Sequence, residues 1–189
     1  ASSLVDATIK GKPDIEAVDL TSRLQNINDI FEVTTKPLIY DANTGGKPGH
    51  FEFTVRSLER IGVSALIIRD RIDPKTKSPF DKDAFIEQDG LVSFCNKIRV
   101  GKHAQVTEEF MVIACVESAT LENGLDDSVT RAQAYIHAGA DGIMIQSKEN
   151  VHDEMIKFCA SYSQLDRRVP LVVALPSNMH MTDEDLASL

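Results

Sequence analysis

Apolar positions along this chain follow two alternating rhythms. Short apolar runs at residues 38–42, 63–68, 110–116, 140–145 and 170–175 are rich in Val, Ile, Leu and Ala and lack polar alternation, which predicts strands buried on both faces. Between them, apolar residues recur at near-helical spacing. The spacing predicts helices over 14–33 (Ile15, Val18, Leu20, Leu24, Ile27, Ile30, Phe31), 49–61, 84–100, 126–137 and 150–162. Lys36-Pro37, Gly62 and Gly139 stand where helices should stop. Residues 71–78 are polar and aperiodic, as expected of a loop after a strand, and the tail after Thr182 has the pattern of one more helix start.

Strands apolar on both faces, alternating with helices, imply an α/β fold with a parallel sheet under helical cover. Five such strands fall short of the eight of a closed (β/α)₈ barrel, which typically needs about 250 residues. The chain has 189 residues, 42% of them hydrophobic and 26% charged, which suits a single domain, 1–189, with a real core. The net charge of −9 argues against nucleic acid as a main partner. No apolar run approaches a membrane span. Cys95, Cys115 and Cys159 are too widely spaced for a CxxC zinc site, and they read as buried free thiols in a reducing compartment, cytoplasm or organelle matrix, with the mitochondrion among the options. The five His residues show neither HxH nor HExxH spacing.

The strand ends carry the candidate chemistry. Leu-Ile-Tyr-Asp-Ala-Asn-Thr-Gly-Gly at 38–46 delivers Asp41 at the carboxyl edge of a strand, where barrel enzymes place their sites, and the Gly pair lets the chain turn. At the corresponding places downstream stand Arg69, Cys115 and Gln146. Asp14 also suits the N-cap of a helix beginning at Ile15.

Together these segments resemble the phosphoenolpyruvate mutase and isocitrate lyase superfamily, and the mutase branch most closely. The carrying segments are Ser2-Ser3-Leu4, 11–17 (Gly-Lys-Pro-Asp-Ile-Glu-Ala), 37–46, Pro74-Lys75-Thr76 with Ser78, Val116-Glu117-Ser118, 122–127 and 138–144. The resemblance implies a TIM-barrel-derived fold. On that map the chain begins at the end of the second strand, supplies the third to seventh, and stops before the eighth. Either it is part of a longer polypeptide, or another chain completes it in a homo-oligomer or larger assembly, or it forms an open sheet whose edges need cover.

By the same resemblance Asp14 falls on the nucleophile position and Ser2, Ser3 and Leu4 on the segment that binds substrate carboxylate and carbonyl. Asp41 falls on the direct magnesium ligand. The water-mediated acid is Asn43 here, and the acid ending the next strand is Arg69. The substrate-holding Arg is Cys115, with Glu117 retained two residues on. The His ending the following strand is Gln146, with Ser147 after it. In the gating loop Lys75 is kept and Lys77 replaces an Asn. A guanidinium cannot ligate a cation, and beside Asp41 it would form an ion pair worth about 4 kcal/mol before desolvation at a separation of ~4 Å.

Replacement concentrated on the site implies a mutase-like scaffold that has lost metal-dependent carbon–phosphorus chemistry and serves as a structural or interaction subunit. No cofactor is expected, or Mg²⁺ should the ancestral site function. The alternative is an active isomerase or lyase acting on phosphonopyruvate or a related 2-oxo acid. A third reading is an anion-binding module built on Arg69, Lys75 and Lys77.

Overall fold

The five apolar runs form one sheet. In the computed structural model, which describes residues 1–72, 87–117, 124–146, 152–174, 182 and 184, the strands are β1 (Ile39–Asp41), β2 (Ala65–Arg69), β3 (Met111–Val116), β4 (Gly142–Gln146) and β5 (Leu171–Ala174). They lie side by side in chain order and every pair is parallel. The helices that connect the strands pack on one face of the sheet. The result is an open, barrel-like half of a (β/α)₈ architecture.

The connecting helices are α3 (Pro48–Arg60), α4 (Leu91–Ala104), α5 (Gly124–Ala138) and α6 (His152–Tyr162), preceded by α1 (Ser3–Ile9) and α2 (Leu20–Phe31). Side chains alternate along each strand. Tyr40, Leu66, Ile68, Val112, Ala114, Val116, Ile143 and Ile145 point to the helices and join Phe51, Leu58, Phe94, Ile98, Tyr135 and Phe158 in the main core. The opposite face carries a second, smaller cluster of Ala65, Ile113, Cys115 and Met144, flanked by Ile67, Met111, Val172 and Ala174. No helix residue joins that inner layer among the described residues.

Several boundaries differ from the sequence expectation. The helix expected over 14–33 begins only at Leu20. Asp19 is its N-cap, accepting the Ser22 N–H at 2.9 Å, so Asp14 is not the cap. Glu16 lies at φ 58°, which a helix interior cannot contain. The helix expected over 84–100 is α4, which starts after Gly90 and runs on to Ala104. The preceding residues are extended: Ile72 N–H donates to Glu87 O (2.7 Å) and Asp89 N–H to Asp70 O (2.9 Å). Ser2, Ser3 and Leu4, expected in a substrate-binding segment, lie at the start of α1, a helix whose Ser3, Asp6 and Ala7 are buried. Beyond Thr182, where a helix start is expected, only Glu184 is described, and most of the loop at 71–78 lies outside the described residues.

Two features hold the carboxyl edge in shape. Gly45 (φ +73°) turns the chain after β1, and a Cβ there would stand 3.0 Å from Ile68 and 3.1 Å from Phe51, so both the conformation and the packing require glycine. Asp70, one residue beyond β2, points into the helix layer and is fully buried. It accepts hydrogen bonds from Tyr135 Oη (2.5 Å), Glu117 N–H (2.7 Å) and Gln88 Nε2 (2.9 Å), with Arg131 at 3.5 Å. Burial raises its pKa to about 6, against the opposing pull of those hydrogen bonds and of Arg131.

An acid whose folded pKa lies above its unfolded one binds more protons when folded, so Asp70 costs stability as pH rises from about 4 to about 6. Taken as about two units, the change is roughly 2–3 kcal/mol. Chemical denaturation of wild type and Asp70→Asn across that range should show the variant missing this downward slope; equal slopes in the two proteins would contradict the assignment.

Candidate active site

The inner-face strand ends converge on one guanidinium. Arg69 ends β2 and projects to the face opposite Asp70. Its Nη2 donates to Asp41 Oδ2 at 3.1 Å, and its Nη1 donates to Glu117 Oε1 at 3.2 Å and Gln146 Oε1 at 2.9 Å. The acceptors come from the end of β1, the residue after β3 and the end of β4. Sheet register explains the convergence. Arg69 pairs with Cys115 and Cys115 with Met144, so Glu117 and Gln146, two residues further on, stand level with each other beyond the arginine. Asp41 pairs with Ile67, one step of the same face below Arg69. The long arginine side chain reaches both levels.

The surroundings fix these groups. Asp41 Oδ1 accepts the Asn43 N–H at 2.9 Å, and Asp41 O accepts Arg23 Nη2 at 2.6 Å. Asn43 is buried with φ 52°, and its carbonyl accepts the Arg69 N–H at 2.7 Å. Arg23 in turn is paired with buried Asp6 at 2.6 Å and stacks over the Tyr40 ring. Ala1 O accepts the Asp41 N–H, and the Ala1 amino group donates to Ile39 O, the pattern of a parallel strand neighbour beside β1.

Of the residues singled out from the sequence, Asp41, Asn43, Arg69, Glu117 and Gln146 meet in this cluster, with Cys115 beneath it. Burial, and after it the nearby Glu117, push the Cys115 thiol far above the ordinary range, with Arg69 opposing. Cys115 is fully buried and packs with Ala65, Ile113 and Met144. Asp14 and Ser3 form a separate pair, with Ser3 Oγ 3.4 Å from Asp14 Oδ2. A small cavity lined by Ser3, Asp14, Glu16 and Asn43 lies between the two groups. Ser2 precedes α1, and Leu4 is 59% exposed. Lys75, Lys77 and Ser147 lie outside the described residues.

Sequence reasoning missed Arg23, Asp6, Asp70 and Glu16. Glu16 accepts the Thr44 N–H (3.2 Å) and hydroxyl (3.4 Å), which ties the turn before α2 to the loop after β1. Arg23 lies inside an otherwise ordinary amphipathic helix, and nothing local marks it. Asp70 did carry a signal: alternation from inward-facing Arg69 sends it into the apolar helix layer, where it must find donors.

This donor set does not suit a hard divalent ion, which wants carboxylate and water oxygens. Both Asp41 oxygens already accept hydrogen bonds, one of them from Arg69, and the neighbouring position that would add an acid is the arginine itself. Among the described residues, no three His, Cys, Asp or Glu side chains are arranged to hold a metal ion.

Half of a (β/α)₈ barrel with polar side chains gathered at the carboxyl edge defines an enzyme-type scaffold of the barrel class. The sequence model described as phosphoenolpyruvate phosphomutase matches residues 1–189, and the chain belongs to that family, within the phosphoenolpyruvate mutase and isocitrate lyase superfamily. A phosphonopyruvate hydrolase from Variovorax sp. (strain Pal2) is 32% identical over 178 residues, 94% of this chain and 60% of the relative. The crystal structure of a phosphoenolpyruvate phosphomutase from Streptomyces platensis subsp. rosaceus superposes with a TM-score of 0.87 at 27% identity, covering 99% of this chain and 64% of that one. A phosphonopyruvate hydrolase in complex with oxalate and Mg²⁺ gives 0.84 at 29%, covering 99% and 62%. The chain thus spans about 60% of the length of the curated relatives it matches.

Arg69 and its acceptors are mostly buried, so removing the cation leaves two carboxylates facing each other without compensation. Arg69→Met should lower unfolding free energy by about 3 kcal/mol at neutral pH. Denaturant titration measures it; a loss below about 0.5 kcal/mol would reduce the cluster to a surface contact.

Proposed function

We propose that this chain is a phosphoenolpyruvate phosphomutase relative that has lost metal-dependent carbon–phosphorus chemistry and acts as a structural or interaction subunit. The carrying observation is the Arg69 guanidinium bonded at once to Asp41, Glu117 and Gln146. A fixed cation at that point repels a second one and occupies the Asp41 oxygen that faces the inner layer. The substrate-holding and titrating positions have changed in the same sense: Cys115 is a buried neutral thiol, and Gln146 cannot carry a proton between groups.

The subunit role rests on the shape. A parallel sheet ordinarily has both faces covered. Here Ile39 at the β1 end is 43% exposed, and the inner apolar cluster is capped by no helix among the described residues. A further chain or segment of (β/α) character, in a homo-oligomer or a larger assembly, would cover that layer and pair the outer strands.

The retained Ser3–Asp14 pair beside Asn43 favours a second reading, an active isomerase or lyase on phosphonopyruvate or a related 2-oxo acid. Arg69 would then supply the positive charge. In that reading Asp14 would act directly on the substrate and Ser3 would hold it in place.

Two measurements decide. Phosphorus NMR of the protein with phosphonopyruvate and Mg²⁺ should show no conversion, and its melting temperature should not respond to millimolar Mg²⁺; turnover, or a melting point that climbs with the ion, would defeat the first reading, since a ligand specific to the native state stabilises it. Native mass spectrometry should find this 20.8 kDa chain in a larger assembly; a stable lone monomer would remove the subunit role.

A further inference from the structure

A second group of cations lies on the helix-facing side of the sheet, apart from the Arg69 cluster. Tyr40 and Ala42, which alternate with inward-facing Asp41, form part of its wall, and the cavity holds about 710 Å³. That is the size of a small-molecule pocket. Among the described residues, Arg23, Lys47, Arg71 and Lys97 border it against two acids, Glu16 and Asp89, an excess of positive charge in a chain whose net charge is −9.

Most of these charges are already matched. Arg23 is paired with Asp6 at 2.6 Å. Lys97 is buried, donates to Thr44 O at 2.9 Å, and has Asp89 at 3.6 Å. Glu16 holds the Thr44 N–H and hydroxyl. Arg71 differs. Its backbone bridges to Gln88, which fixes the residue at the cavity wall, yet its side-chain Nε is shut off from solvent and has no hydrogen-bond partner among the described residues. Buried polar groups are almost always paired, because leaving one unmade forfeits its hydration without return. Lys47 and His50 stand exposed at the rim.

We propose that this cavity binds a small oxyanion, a compound bearing a phosphate or carboxylate group, and that Arg71 is its principal ligand. A guanidinium fork presents parallel N–H groups that match either group bidentately. Lys97, held rigidly by Thr44 and Asp89, supplies a second positive charge in the wall, and Lys47 supplies one at the mouth. The site shares Asn43 with the Arg69 cluster at one wall, but its cations are not those of the cluster, so it does not rest on whether that cluster is active.

The test uses inorganic phosphate and malonate as separate probes, titrated into the ¹⁵N-labelled protein while the Arg71 Nε–H resonance is followed. A saturable shift in the millimolar range is expected for at least one probe; phosphate binding more tightly assigns a phosphate-bearing ligand, and malonate binding more tightly assigns a carboxylate. Arg71→Gln should weaken binding by about tenfold or more, the loss of one charge-assisted contact. No saturable shift of that resonance with either probe overturns the proposal, as does an Arg71→Gln affinity within about twofold of wild type. Should Arg71→Gln fail to fold, the wild-type resonance decides alone.

Discussion

The sheet's carboxyl edge depends on one requirement: the Arg69 charge, drawn out of water on the inner face, must find acceptors on neighbouring strands. A partly buried guanidinium without partners is strongly unfavourable, and its desolvation is offset only when several N–H groups are used. Asp41, Glu117 and Gln146 supply three acceptors from three different strand ends. None of the three is adjacent to Arg69 in sequence, so the tie exists only once β1, β2, β3 and β4 lie in register. It therefore favours that register over a one-residue slip, which would turn Arg69 into the helix layer and Asp70 onto the inner face.

Asp70 makes the complementary tie on the other face. Two neighbouring residues of opposite charge leave the same strand end in opposite directions, and both reach Glu117: Arg69 binds its carboxylate, and Asp70 accepts its backbone N–H. Glu117 is thus fixed at both ends. Through Tyr135 and Arg131 the Asp70 carboxylate also anchors α5 to the end of β2. The Phe94 ring packs on Tyr135, with centroids 4.7 Å apart, so the hydroxyl that serves Asp70 is held by the apolar core. Packing and polar positioning are here the same contact.

Much of this was legible in the sequence because strands and their faces follow from short-range patterns. The five apolar runs, the inward set Asp41, Arg69, Cys115, Glu117 and Gln146, and the Arg69–Asp41 pair all follow from alternation along parallel strands. What escaped depended on distant partners. The Asp70 network joins residues 47 and 65 positions apart, and no local spacing encodes that. Helix boundaries failed where a local polar contact outbid periodicity: Asp19 captures the Ser22 N–H and starts α2 later than Ile15 and Val18 would predict. α1 went unseen because its buried positions are Ser3, Asp6 and Ala7 while Leu4, Val5 and Ile9 are exposed, the inverse of an ordinary amphipathic pattern. Its polar face is buried because Asp6 meets Arg23 and Asn26.

A tie made by a side chain behaves differently from one made by a bound ion. An ion stabilises the folded chain only in proportion to its free concentration and leaves when that falls. A guanidinium is always present and always charged, so strand ends joined through Arg69 stay joined whatever the solution contains. The same permanence limits chemistry. A metal ion can exchange water for substrate oxygens, whereas Arg69 already commits three of its five N–H groups to Asp41, Glu117 and Gln146. An anion that took one of those three would leave a mostly buried carboxylate or amide without its donor. Wherever a ligand and the neighbouring strands draw on the same N–H groups, stability and ligand binding compete at this edge.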